Sequence, residues 1–117
     1  MKAIIIDPER KSLGEVDQDW DIDSLQAFIG GYIENGSVVS GVSIYVDEEG
    51  LLKNINHFFR LPELTSDWLA GRAVILGYNE LGEATDCPLS FDEVKDFVFF
   101  ASRNEILASY VKERGAK

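Results

Sequence analysis

Four aspartates that alternate with other residues near the N-terminus form the first pattern that could carry chemistry. They are Asp17, Asp19, Asp21 and Asp23. A calcium-binding EF-hand loop would need glycine at its sixth position and a bidentate glutamate at its twelfth. Counting from Asp17 places Ile22 and Phe28 at those positions, and counting from Asp19 fails in the same way. The sequence therefore predicts no calcium loop here.

On an extended segment these four side chains would lie on one side of the chain, because successive side chains of a strand alternate. They would then repeat every 6.6 Å or so, close to the spacing of phosphates along one DNA strand. Two interpretations stay open. The aspartates could mimic a row of phosphates, or they could form a solvated charged edge that blocks strand pairing, which is the commoner use of such residues.

The other residues that could carry catalysis are few. The chain has one histidine, His57, and one cysteine, Cys87, so an intrachain disulfide is impossible. A zinc site needs three or four ligands, and no base lies next to Cys87 in sequence to activate its thiol. Glycine-rich phosphate-binding motifs are absent from the sequence. We therefore predict a protein that is not an enzyme and has no catalytic residue, metal or cofactor, and leave the roles of His57 and Cys87 open.

The charge of the chain indicates which partners it would meet. There are 21 acidic and 11 basic residues, a formal net charge of −10. Residues 1–50 contain eleven of the acids, including Asp47, Glu48 and Glu49, and only three bases. Direct binding to nucleic acid or to an anionic membrane is disfavoured because phosphates would be repelled, whereas a protein with a basic surface would be attracted. The alternative is that the acids serve only solubility.

Size and composition predict one globular domain over residues 1–117. Hydrophobic residues make up 45% of the 117 residues and no repeat or low-complexity linker divides them. The apolar runs are too short for a membrane-spanning helix, and the apolar part of the first eight residues is too short for a signal peptide. We therefore expect a cytoplasmic location.

The elements that would position these residues follow an α+β order. We predict a mostly antiparallel sheet with one short N-terminal helix, over 21–31, with Asp23 as its N-cap. Strands are predicted in the alternating or continuously apolar segments, and a further short helix over 62–69. The strands are expected at 2–6, 13–16, 32–34 and 37–39 around the Asn35-Gly36 turn, 42–46 and 73–78.

The C-terminal segment, residues 90–117, is predicted to be a helix or a kinked pair of helices packed on the sheet. Ser90 and Glu93 have the spacing of a capping box before an apolar stretch. The helical periodicity is broken near 102–104, where we expect the kink. Phe99 and Phe100 cannot both share a face with Phe97. Either one or both are exposed at an interface, for which a homodimer is one candidate, or the helix is buried on two sides.

Residues 1–86 resemble a small domain family of unknown function. The resemblance lies in the opening MKAIIIDP, in the block LQAFIGGYIE that begins at Leu25, in YVDEEGLLK from Tyr45, and in the strand segment 69–77. Members of that family occur in phages, plasmids and gut bacteria, often near antirestriction genes, and at least one similar protein is counted among the inhibitors of CRISPR nucleases. The resemblance implies a location, the cytoplasm of a bacterial host, and no catalytic residues. It does not extend to residues 90–117.

These observations lead to one main hypothesis and two alternatives. The main hypothesis is a non-enzymatic acidic interaction protein of a phage or mobile element, with inhibition of a host defence nuclease as its most specific form. Its partner-binding residues would be the two acidic groups, Asp17, Asp19, Asp21 and Asp23 with Asp47, Glu48 and Glu49. The alternatives are a small oligomeric accessory domain that uses the Phe-rich C-terminal segment, and a ligand-binding domain with Tyr32, Tyr45 and His57 around a pocket.

Overall fold

The computed structural model describes residues 1–115 and has an α+β fold, as the sequence predicted. Residues 116 and 117 of the predicted C-terminal segment lie outside the described part. Its strands, in chain order, are β1 (Lys2–Asp7), β2 (Ser12–Asp17), β3 (Ile33–Asn35), β4 (Val42–Asp47), β5 (His57–Arg60), β6 (Leu69–Ala70), β7 (Ala73–Tyr78), β8 (Ala84–Thr85) and β9 (Phe99–Ser102). Its helices are α1 (Ile22–Ile29), α2 (Phe91–Phe97) and α3 (Arg103–Gly115).

The larger of two sheets has the strand order β2-β1-β7-β4-β3, with β8 paired to the end of β7. All of its neighbouring strands are antiparallel. β7 lies in the middle, and its continuous apolar sequence fits a strand that is covered on both faces. The prediction of a central strand over 73–78 is confirmed.

The two faces of the large sheet are covered by different elements. On one face, Trp20 and the α1 side chains Leu25 and Ile29 pack against Val74 and Leu76. On the opposite face a second sheet, of order β6-β5-β9, joins α2. The large sheet and this second layer share one buried cluster, to which both contribute side chains: Ile4, Ile6, Val42, Ile44, Val46, Phe59, Leu61, Ala73, Ile75 and Val94. Side chains of β4 alternate between the two faces of the sheet: Ile44 and its neighbours Val42 and Val46 enter this cluster, whereas Tyr45 packs on the α1 side.

Two predictions about loops are wrong. Residues 37–39 do not form a strand, because the Asn35 side chain accepts hydrogen bonds from the N–H groups of Ser37 and Ile44 and closes a wider loop between β3 and β4. Residues 62–69 do not form a helix. The backbone N–H groups of Leu64 and Thr65 both donate to the Leu61 carbonyl, which closes a tight turn. Glu63 has a φ of 70°, which is incompatible with a continuing right-handed helix.

The C-terminal segment is also more divided than predicted. The capping box of Ser90 and Glu93 is present with both hydrogen bonds, at 3.1 Å each, and starts α2. Instead of a kink near 102–104, the chain leaves the helix at Val98 and pairs with β5 as β9 before α3 begins. The structure thus places a strand between the two helices, because the free edge of β5 offers backbone partners that the local helical periodicity does not reveal.

Candidate functional site

The four alternating aspartates do not form one extended ladder. Asp17 ends β2, where its carboxylate lies 3.1 Å from the amino group of Met1. The next residues turn toward α1, and the buried Trp20 fixes that turn between the sheet and the helix. Asp21 and Asp23 belong to the start of α1. The row of charges expected from an extended segment is therefore replaced by acids around the junction of a strand end and a helix start.

The N-cap of α1 is Asp21 rather than the predicted Asp23. The Asp21 Oδ1 atom accepts hydrogen bonds from the Ser24 N–H and from the Ser24 hydroxyl, both at 2.8 Å. These bonds favour the ionised carboxylate and lower the pKa of Asp21. Asp23 sits in the first turn, where a negative charge interacts favourably with the helix dipole. Asp21 is the N-cap because its backbone is extended, as an N-cap requires.

Further acids join these four at the same end of the large sheet. Asp86 accepts a hydrogen bond of 2.9 Å from the backbone N–H of Lys2, the residue that pairs with Asp17 across β1 and β2. The turn after β7 brings Glu80 and Glu83 to this end. All of these acids are exposed. We call the group the acidic end: Asp17, Asp19, Asp21, Asp23, Glu80, Glu83 and Asp86.

The positive charges at the acidic end are few. The exposed Lys2 and the amino terminus lie among these seven carboxylates, and the amino terminus is already paired with Asp17. Two strand spacings separate the chains of Asp17 and Asp86, or about 10 Å, which is about one Debye length at 0.1 M salt. Their fields therefore add over this surface at low ionic strength.

The second predicted acidic group is not part of this surface. Asp17 lies beside Lys2 at the end where β4 starts, whereas Asp47 is five residues further along, at the other end of β4. With about 3.3 Å per residue and three strand spacings between β2 and β4, the two groups are about 20 Å apart. The structure therefore does not bring the two acidic groups together.

Asp47 itself is occupied within the chain. Its side chain is 5% exposed, and its Oδ2 atom accepts a hydrogen bond of 2.6 Å from the Lys53 ammonium group. That bond raises the pKa of Lys53. The Asp47 Oδ1 atom accepts the backbone N–H of Glu49. Only Glu48 and Glu49 of this group are exposed to a partner.

This ion pair joins two of the sequence blocks that carry the family resemblance. A Cβ atom on Gly31 would lie 2.9 Å from the Lys53 Nζ atom and 3.0 Å from the Asp47 Oδ2 atom. The Lys53 ammonium also reaches the Gly30 carbonyl at the end of α1, at 3.4 Å. The double glycine therefore leaves room for the ion pair formed by the block that begins at Tyr45, and this contact gives both blocks a structural role.

The two phenylalanines proposed as an interface have different environments. Phe99 is 58% exposed, whereas Phe100, its neighbour on β9, packs against the main hydrophobic cluster. Strand alternation explains this difference, because successive residues of β9 point to opposite sides. The structure leaves Phe99 accessible and places Phe100 largely in the core.

The residues suggested for a ligand pocket do not meet. His57, at the start of β5, lines a cleft of about 170 Å³ with Asp7, Glu9 and Arg72. Tyr45 packs on the α1 side of the large sheet, and Tyr32 is 68% exposed. The volume of the cleft is below the 300–1,000 Å³ or so that is typical of small-molecule sites.

Two absences were established for residues 1–115. In this range no group of three or more His, Cys, Asp or Glu side chains is placed to hold a metal ion. Within the same range no helix combines the length and apolarity needed to cross a membrane.

Sequence reasoning missed two contributors to the surface. Asp86 joins the acidic end through a hydrogen bond to a residue 84 positions away, which no local pattern indicates. A groove beside α3 was missed as well. Leu51, Trp68, Leu107 and Tyr110 line it, and its volume is about 400 Å³. The exposed leucine pair Leu51 and Leu52 in a turn was the available signal, because turns rarely expose two large apolar residues without a reason.

Comparison with known proteins identifies a family. The model of DUF3846, a domain of unknown function, matches residues 1–98, and the chain therefore belongs to this family. The prediction of an uncharacterised domain family is confirmed. No curated protein and no solved structure matches the chain. The matched region ends one residue before β9, so β9 and α3 lie beyond it.

Proposed function

We propose that this protein binds a protein partner through its acidic end and catalyses no reaction. The observation that carries the proposal is the gathering of seven exposed carboxylates at one end of the large sheet, where Lys2 and the amino terminus are the only positive groups among them within residues 1–115. A surface of one sign attracts a surface of the opposite sign and speeds the encounter between them. The partner would therefore present lysine and arginine side chains.

Nucleic-acid-binding proteins present such surfaces because they neutralise phosphates with the same side chains. The resemblance of residues 1–86 to a family that occurs in phages and plasmids supports a partner among host defence proteins. We therefore propose, more specifically, that the protein belongs to a phage or mobile element and inhibits a host defence nuclease by occupying its nucleic-acid-binding surface. The acidic end would compete with DNA or RNA there without copying the regular phosphate spacing.

The test measures cleavage of a labelled DNA by each nuclease of a panel of restriction and CRISPR enzymes, with and without the protein. The acidic-end variant carries Asp17→Asn, Asp19→Asn, Asp23→Asn and Asp86→Asn, and keeps Asp21 because it caps α1. The matched control removes the same number of charges elsewhere, through Glu48→Gln, Glu49→Gln, Glu63→Gln and Asp67→Asn, all at exposed positions.

The wild-type protein and the control should inhibit at least one nuclease, and the acidic-end variant should lose at least tenfold in affinity. Inhibition by the wild-type protein should also weaken as the salt concentration rises from about 50 to about 500 mM, because interactions between exposed charges are screened. If the acidic-end variant inhibits as well as the control variant does, or if inhibition is independent of salt, the role of the acidic end is refuted. A panel in which no nuclease is inhibited would refute the inhibitor proposal.

A further inference from the structure

An open apolar groove lies between α3 and the turn after β4. Its volume is about 400 Å³, and we call it the α3 groove. Three of its side chains, Leu51, Leu107 and Tyr110, are 72%, 54% and 52% exposed. The other apolar side chains at its surface are Trp68, Leu69 and Ile106. An exposed apolar surface with a polar rim is typical of an interaction site.

β9 and the first residue of α3 hold the groove in shape. β9 pairs with β5 and so places α3 beside Trp68. The Arg103 Nη2 atom donates a hydrogen bond of 2.8 Å to the Ile55 carbonyl, and its guanidinium group lies 5.5 Å from the centre of the Phe58 ring. The Arg103 N–H donates to the Asn56 carbonyl at 3.1 Å. The groove is therefore formed before a partner arrives, which lowers the cost of ordering on binding.

The α3 groove continues into a smaller cleft next to β4. This cleft has a volume of about 60 Å³ and shares Leu51, Trp68 and Leu69 with the groove. Its exposed charged side chains are Glu34 and Glu48. Among the described residues that line the cleft there is no lysine or arginine.

Strand pairing explains why Glu34 belongs to this surface. Glu34 pairs with Val46 across β3 and β4, and paired residues point to the same face of a sheet. Val46 enters the cluster between the two sheets, so Glu34 lies on the same side as the groove. Glu49 follows Glu48 in the exposed turn. We call Glu34, Glu48 and Glu49 the acidic rim.

The charges in the rest of the groove balance each other. Arg103 and Asp67 lie within it, one of each sign. Arg60 and Glu105 meet at the end away from β4. The excess of negative charge therefore lies at the acidic rim, beside an apolar wall that strengthens its attraction for a cation.

We propose that the α3 groove and the acidic rim bind a segment of a protein partner that carries large apolar side chains next to lysine or arginine. The apolar side chains would fill the groove and the cations would meet the acidic rim. Trp68 and Tyr110 are of the residue types that contribute most to protein interfaces. The acidic rim would repel nucleic acid and anionic lipid, and a second copy of the chain brings the same net charge of −10.

This inference goes beyond the proposed function and fails separately from it. Asp47, which directly precedes the acidic rim, is about 20 Å from Asp17, so one protein can occupy the groove while another occupies the acidic end. A chain that binds the peptide below but inhibits no nuclease would refute the nuclease proposal alone. A chain that inhibits a nuclease but does not bind the peptide would refute the groove proposal alone.

The probe is a synthetic amphipathic peptide of leucine and lysine, titrated into the full chain and followed by calorimetry and tryptophan emission. It should bind about tenfold more tightly than a peptide with serine in place of leucine, or one with glutamate in place of lysine. Trp68 lines the groove, whereas Trp20 is 6% exposed. Binding should therefore shift the emission of the wild-type chain to shorter wavelength, and Trp68→Phe should abolish the shift.

Removal of apolar side chains tests the groove. Leu51→Ala combined with Leu107→Ala should weaken binding of the leucine–lysine peptide by about tenfold. The matched control combines Leu52→Ala with Leu81→Ala, at leucines that are 87% and 83% exposed and do not line the groove. The control should bind as the wild type does.

Removal of charge tests the acidic rim. Glu34→Gln, Glu48→Gln and Glu49→Gln together should weaken binding of the leucine–lysine peptide by about fivefold, because its lysines lose their partners. The matched control takes three charges from the acidic end, through Asp17→Asn, Asp19→Asn and Asp23→Asn, and should keep the wild-type affinity. All six positions are exposed, so each variant should fold, which circular dichroism checks.

Three results would overturn the proposal. The first is equal binding of the three peptides, and the second is an equal loss of affinity in a variant and its matched control. The third is a mass of two chains by light scattering that Leu51→Ala with Leu107→Ala returns to one, because a second copy would then occupy the groove.

Discussion

Gly77 allows the segment that carries Asp86 to approach the large sheet, and its replacement by alanine tests how the acidic end is held. A Cβ atom at position 77 would lie 2.5 Å from the Thr85 Oγ1 atom and 2.7 Å from the Asp86 carbonyl oxygen. The hydroxyl can rotate away, but the carbonyl oxygen belongs to the backbone. Because a relaxed contact between carbon and oxygen is about 3.3 Å or longer, the segment would have to retreat by about 0.6 Å.

The expected loss of stability follows from two opposing terms. Overpacking of a buried position costs about 1–3 kcal/mol, whereas alanine in a strand is favoured over glycine by about 0.5–1 kcal/mol. Gly77→Ala should therefore lower the free energy of unfolding by about 1–2 kcal/mol. For a domain near this size the melting temperature should fall by about 4–10 °C.

Urea unfolding followed by the fluorescence of Trp20 and Trp68 measures this free energy. The control is Gly14→Ala in β2, where a Cβ atom would meet only the Ile5 side chain, at 3.1 and 3.2 Å. That side chain can adjust, so the control should change stability by less than about 1 kcal/mol. Hydrogen exchange provides a second measurement, because the Lys2 N–H is bonded to Asp86 and should exchange faster in Gly77→Ala. A Gly77→Ala protein as stable as the wild type, with unchanged exchange at Lys2, would refute this account.

Two further predictions concern ionisable groups. Because the folded pKa of Asp21 is lowered by its bonds to Ser24, its stabilisation of α1 is complete above the unfolded pKa and is lost as the pH falls through the folded pKa. The melting temperature of Asp21→Asn should therefore lie below that of the wild type at about pH 6 and equal it at about pH 2; a constant difference would contradict this. Burial raises the pKa of Cys87, so native protein at about pH 8 should react with iodoacetamide at least about tenfold more slowly than protein unfolded in urea, and equal rates would contradict it.

The elements that local patterns determine were predictable from the sequence. β4 and β7 follow from alternating and continuous apolar residues, and both bonds of the capping box at Ser90 are present. β9 was not predictable, because residues 94–101 have a helical periodicity and only the pairing of Phe99–Ser102 with β5 makes that segment a strand. Pairing across such a distance in sequence depends on which edge is available, and the local sequence does not contain that information.

The candidate site also has features that the sequence predicts and features that it does not. The charge of Asp17, Asp19, Asp21 and Asp23 was evident from their types and spacing, and their exposure follows from it. The position of Asp47 was not evident, although it directly precedes the exposed Glu48 and Glu49 in sequence. The last residue of β4 points into the junction with Gly31 and Lys53, and this junction depends on how α1 ends. A run of like charges therefore says little about which of its members face solvent.

The contacts within the acidic end indicate how much each of its residues would contribute to affinity for a partner. Asp17 is paired with the amino terminus and Asp21 caps α1, so a partner that contacts either one competes with a bond inside the chain. No such bond holds the side chain of Asp19 or Asp23 in the described part of the chain, and both are exposed. Because a basic partner gains most from charges that it does not have to separate from other groups, Asp19 and Asp23 should contribute more to affinity than Asp17 and Asp21. The same reasoning explains why the test of function leaves Asp21 in place: its removal would change the stability of α1 and the binding surface together.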